Sequence, residues 1–84
     1  MSRQDVTAAR YEALFASPLQ RSESPQAQRV REEITRSLRE LGWRGCAALM
    51  AQEFGDHPEA AAERMRWARE VVEATYLASA SVNA

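Results

Sequence analysis

Cys46-Ala-Ala-Leu-Met-Ala-Gln-Glu-Phe-Gly-Asp-His-Pro-Glu-Ala-Ala-Ala-Glu-Arg-Met-Arg-Trp-Ala68 is the stretch that decides how this chain folds. It predicts a helix, a tight turn and a second helix. Ala51 lies four residues before Gly55, and Ala61 lies six after it. Small residues at those places let two helices cross closely while the glycine makes the turn, which is the skeleton of a helix-turn-helix. The first helix of the pair, about 46–54, is apolar on all sides except Gln52 and Glu53, so it is expected to be the most buried element, with Gly55 as its stop. Asp56 followed three residues later by Glu59 has the pattern of a capping box, with Asp in the usual Ser or Thr place. Pro58 falls in the first turn, where a missing N–H costs nothing.

The next helix runs to about Leu77. Ala61, Met65, Ala68, Val72 and Tyr76 share one face, and Trp67, Val71, Ala74 and Ala78 widen it. Upstream, Ser24-Pro25 gives an N-cap followed by Pro at the first helical position. Val30, Ile34, Leu38 and Leu41 then mark one helical face, and Gly42 is the expected stop. Trp43, between Gly42 and Gly45, is expected in the core, because a large ring fills much of a small one. A first helix is expected from about Val6 to Ala16, with Asp5 as N-cap and Tyr11, Leu14 and Phe15 as its apolar face. Ser17-Pro18 ends it, since a residue before Pro is pushed out of the helical region. The expected fold is all-α: one compact domain over residues 1–84, four helices, a helix-turn-helix-like third and fourth pair, and ends fraying at about 1–4 and 79–84.

Size limits what such a chain can do. A domain of 84 residues buries only about 60–65% of its unfolded surface, so its core is thin and self-association is a common supplement. Hydrophobic residues make up 45% of the chain, too many for a disordered one. The single Cys46 excludes an intrachain disulfide and fits a reducing cytoplasm. The N-terminus lacks a signal-peptide core, and no apolar run approaches the roughly 20 residues that span a membrane. All 11 basic residues are Arg, yet net charge is −1, a poor balance for a general nucleic-acid binder. Residues 21–45 are mildly basic, with six Arg against four Glu, and residues 53–73 are acidic, with six acids against three Arg. That asymmetry favours packing of the two parts on each other or on a second copy.

Catalysis and metal binding lack their parts. Cys46, Glu53, Asp56 and His57 are ligand-competent types, but the Gly55 break removes a shared face, and one His and one Cys do not make a structural zinc site. A nucleophile, base and oxyanion donor cannot be assembled, and the three glycines are isolated, so there is no phosphate loop. No catalytic residue, cofactor or metal is expected.

DNA binding through the second helix of the pair would present His57, Pro58, Glu59, Ala62, Glu63 and Arg66 to the groove. Glu59 and Glu63 are repelled by phosphates, and Arg66 is balanced by Glu63 and Glu70. Arg31, Arg39 and Arg44, with Arg21 and Arg29, would add nonspecific phosphate contacts. Arg69–Glu73 adds a further intrahelical pair, whereas Arg64 has no acidic neighbour at helical spacing and is the arginine expected to reach a partner or another helix.

The block Arg-Gly-Cys-Ala-Ala (44–48), Ala-Gln-Glu-Phe-Gly-Asp-His-Pro-Glu (51–59) and Arg-Met-Arg-Trp-Ala (64–68), and more loosely Leu14-Phe-Ala-Ser17, resembles a group of small uncharacterised actinobacterial helical proteins over roughly residues 11–72. The resemblance implies a bacterial cytoplasmic protein and carries no activity. A looser likeness to helix-turn-helix proteins rests on Ala51, Gly55, Ala61 and Met65, with departures at Asp56, Glu59 and Glu63. The expected function is a non-enzymatic regulatory or protein-interaction module that self-associates as a homodimer, with Trp67, Arg64, Val71 and Ala74 as candidate contacts. The alternative is a helix-turn-helix DNA-binding protein, transcriptional or nucleoid-associated, using Arg66, His57, Arg31, Arg39 and Arg44.

Overall fold

The computed structural model describes residues 2–77, with the side chains of Arg3 and Leu77 excepted. Three α-helices follow one another: α1 (Arg3–Ala16), α2 (Ala27–Asp56) and α3 (Pro58–Val72). A 3₁₀ turn, Arg21–Glu23, precedes α2, and a π-helical turn, Glu73–Leu77, continues α3. No strand occurs among the described residues, so the all-α expectation holds. The count of four helices is corrected to three, because the expected second and third helices form one 30-residue element. The expected fraying of 79–84 lies outside the described residues.

The correction turns on Gly42. Its φ of 70° and ψ of 164° interrupt α2 without ending it, and the helix resumes at the next residue. Only glycine adopts that backbone region without strain. An added Cβ there would meet nothing within 4 Å, so the constraint is torsional rather than steric. The glycine expected to stop a helix bends one instead.

The helix ends also differ from their expected places. α1 starts earlier, because Ser2 and not Asp5 is its N-cap. Ser2 Oγ accepts from the Asp5 amide at 3.2 Å, and the Ser2 amide donates to Asp5 Oδ2 at 3.2 Å, a reciprocal capping box. The C-terminus is where Ser17-Pro18 placed it: Ser17 is extended, donates its Oγ to the Leu14 carbonyl at 2.7 Å and accepts from the Leu19 amide at 3.3 Å. Ser24 does not cap α2. It sits at φ 45° and closes the 3₁₀ turn, leaving Gln26 as N-cap with no side-chain bond. Nor does Gly55 end α2, which runs through it to Asp56. The expected Asp56/Glu59 box is therefore not formed: Asp56 is still helical, and His57 caps α3 without a side-chain hydrogen bond. Pro58 occupies the first turn of α3 as expected.

The core gathers Ala13, Leu14, Phe15 and Leu19 against Val30 and Ile34 of α2 and Ala61, Met65, Ala68 and Val72 of α3. The α3 stripe is as read from its spacing. The α2 stripe fades toward the kink: Val30 and Ile34 are buried, Leu38 is half-buried and Leu41 is exposed. Beyond the kink the expectation of the most buried segment fails. Cys46 is buried, but Ala48, Leu49, Ala51 and Phe54 are exposed. With only two neighbouring helices, a helix apolar all round is covered on part of its circumference. Of the alanines expected to allow a close helix crossing, Ala61 and Ala68 of α3 are buried, Ala47 is half-buried, and Ala48 and Ala51 of α2 are exposed.

Candidate interaction surface

The exposure of the two tryptophans is the reverse of that expected. Trp43, expected in the core, is 52% exposed, and Trp67, expected at a contact edge, is 7% exposed. The kink explains the first. Helix resumes directly after Gly42, and Trp43 is carried to the outside; Leu41, just before the kink, is 44% exposed as well. The Arg44 guanidinium lies 5.2 Å from the Trp43 ring centroid and leaves half the residue open.

An apolar groove of about 650 Å³ opens beside Trp43. Val6 and Ala9 of α1 form one wall, and Ile34, Leu38 and Gly42 of α2 form the other. Tyr76 closes one end, under the Arg10 guanidinium at 3.9 Å from its ring centroid. Arg10 and Arg31 are the charged residues lining it, and no carboxylate does. Arg31 is exposed and has no ion-pair partner among the described residues. A second hollow, about 310 Å³, lies against Asp5, Ala8, Ala9, Glu12 and Trp43. Burial raises the Glu12 carboxyl above its ordinary value. Ala9 and Trp43 line both hollows, so they form the ridge between a basic side and an acidic one.

Arg64 reaches another helix, one of the two destinations expected of it. Its Nε donates to the Phe15 carbonyl at 2.9 Å, and its terminal nitrogen donates to Ser17 at 2.8 Å and to Leu14 at 3.4 Å. The last turn of α1 holds no basic residue, so α3 supplies the cation that its carbonyl end attracts. The same guanidinium lies over the Phe15 and Trp67 rings, at 5.7 and 5.2 Å. Burial lowers its pKa, an effect opposed by the Glu53 charge. Trp67 and Arg64 thus hold α3 to α1, while Val71 is half-buried and Ala74 exposed.

The residues expected to contact DNA do not gather on one basic face. His57 and Arg66 are exposed, but Arg66 shares a shallow hollow with Glu63 and Glu70 as well as Arg21. Arg31 and Arg39 are exposed on α2 in a shallow hollow shared with Arg36, Glu32 and Glu40, and Arg44 is exposed beyond the kink. The single residue His57 joins α2 to α3, shorter than the turn of three or four residues in a helix-turn-helix.

One feature escaped the sequence reading. Glu33, one of the four Glu in the charge balance of residues 21–45, is 1% exposed. Its Oε1 lies 3.4–3.5 Å from Arg36 and Arg29, and its Oε2 is buried without a hydrogen-bond partner. The spacing from Val30 to Ser37, both also buried, places position 33 on the inner face, a signal that its charge concealed. Among the described residues these are the ion pairs, so the expected Glu63–Arg66, Arg66–Glu70 and Arg69–Glu73 pairs are not closed. Glu73 instead accepts from the Tyr11 hydroxyl at 3.0 Å, and burial followed by that bond raises the Tyr11 pKa. Cys46 is fully buried, with its thiol raised by burial and then by Glu12.

No group of three or more His, Cys, Asp or Glu among the described residues is arranged to hold a metal ion, and none of the described helices is long and apolar enough to cross a membrane. Comparison with protein-family models, curated proteins and solved structures gives no match.

Proposed function

We propose that this chain is a non-enzymatic protein-interaction module that self-associates. The observation that carries this reading is Trp43, half exposed on the rim of an apolar groove at the kink of α2. Aromatic residues of this kind anchor interfaces, and an apolar surface rimmed by polar residues marks an interaction site. The contact surface is therefore the kink, not the Trp67, Val71 and Ala74 edge. Sedimentation equilibrium from low to high micromolar protein tests the proposal: a mass that rises with concentration supports it, and a strictly monomeric mass at several hundred micromolar overturns its self-association.

The DNA-binding alternative has less behind it, because Glu63 and Glu70 flank Arg66 and Glu59 is exposed two turns before it on α3. A mobility shift on mixed-sequence duplexes at low salt, lost steeply as salt rises, would revive it.

A further inference from the structure

We infer that the chain forms a two-fold symmetric dimer whose axis runs along the Trp43 ridge, so that the basic groove of each copy covers the acidic hollow of the other. The inference rests on the self-association reading and specifies its geometry. Symmetric pairing requires a surface complementary to itself. The ridge has that property: Arg10 and Arg31 lie on one side of it, and Asp5 and Glu12 on the other. A half-turn about a line along the ridge exchanges the two sides across the interface. Each arginine-lined groove then faces the partner's carboxylates, and the two Trp43 rings meet on the axis.

An axis across the ridge would instead set Arg31 against Arg31, so the charge layout selects the direction as well as the place. The apolar floor supplies what charge alone does not. Val6, Ile34 and Leu38 line the groove, so the surface that the partner covers is apolar between the charged sides. Like charges juxtaposed at an interface oppose association and opposite ones favour it, so the pairing is open to inversion by mutation.

The experiment is sedimentation equilibrium on the full chain and three variants: W43A, R31E and D5R. All three residues are exposed, and far-UV circular dichroism verifies that each variant remains helical. In D5R the substituted side chain also leaves the α1 capping box, so R31E and W43A keep the test independent of that helix end. The wild type is expected to dimerise, and each variant to raise the dissociation constant at least tenfold. Mixed one to one, R31E and D5R are expected to recover a dimer tighter than either forms alone. A wild-type dimer that persists unchanged in W43A, or a mixture no tighter than its components, overturns this geometry while leaving self-association standing. A wild-type monomer overturns both.

Discussion

Arg64 shows how one side chain joins distant parts of a small chain. Hydrogen bonds to a charged donor contribute about 1.5–3 kcal/mol each when well made, and Arg64 is half-buried, so R64A is expected to cost about 2 kcal/mol in all. For a domain of this size that lowers the melting temperature by roughly 8–16 °C, measurable by thermal circular dichroism. R64K restores less than half of the loss, because an ammonium cannot reproduce the fork that spans the Phe15 and Ser17 carbonyls. Glu33 is the opposite case. Its Oε2 is buried and unbonded, and exchanging a buried charge for an apolar group of similar volume is often stabilising. E33M is expected to raise stability by about 1 kcal/mol in urea unfolding. Glu12 gives a dependence on pH. Its carboxyl is raised in the folded state, so folding holds its proton more tightly than the unfolded chain does. It therefore lowers stability as pH rises from the ordinary carboxylate range through the raised value. At protein concentrations low enough to keep the chain monomeric, E12Q is expected to be the more stable protein at neutral pH, by less than about 1 kcal/mol given its partial solvation, with the gain disappearing near pH 4.

At the scale of elements, two glycines of α2 are expected to answer oppositely to alanine. G42A places a side chain where φ is 70° and ψ is 164°, and is expected to cost about 1–3 kcal/mol or to straighten the kink. G55A adds a Cβ to a regular helix with nothing within 4 Å, and is expected to gain about 0.5–1 kcal/mol. Chemical denaturation of both variants checks the pair. The sequence gives both glycines the same look, each following an apolar helical run and preceding another. What separates them is tertiary: α1 packs on both segments of α2, and the bend lets it. The apolar stripe of α3 was legible because its period leaves one solution, Ala61 to Val72 inward. The ends of α1 and α2 were less so, since Ser2, Asp5, Ser24 and Gln26 are all plausible caps and only the packing selects among them. The exposure of Trp43 is not legible for a related reason: ring size argues for burial, but the bend beside it decides which way the ring points. Arg64 could be singled out by its missing helical partners, though not its target, because backbone carbonyls leave no mark in a residue pattern.

For the whole molecule, opposite charges on the two sides of one ridge lead to a definite response to salt. The proposed dimer is expected to weaken several-fold between 50 and 500 mM salt, as screening shortens the reach of Arg31 and Asp5. It should not vanish, since burial of Trp43 and the groove wall is unaffected by screening. Light scattering across a salt series measures both parts. The radius of gyration, 12.4 Å, is close to that of a fully compacted chain of this length, about 12 Å, so little slack remains inside. The arginine that closes the end of α1 lies 47 to 50 residues downstream of the carbonyls it holds. During synthesis the first helix thus emerges long before the residue that completes it. A nascent chain that has reached only residue 57 has a helix terminus without its cation and lacks Ala61, Met65, Ala68 and Val72 to cover its core, so α1 is expected to dock only once α3 has been made.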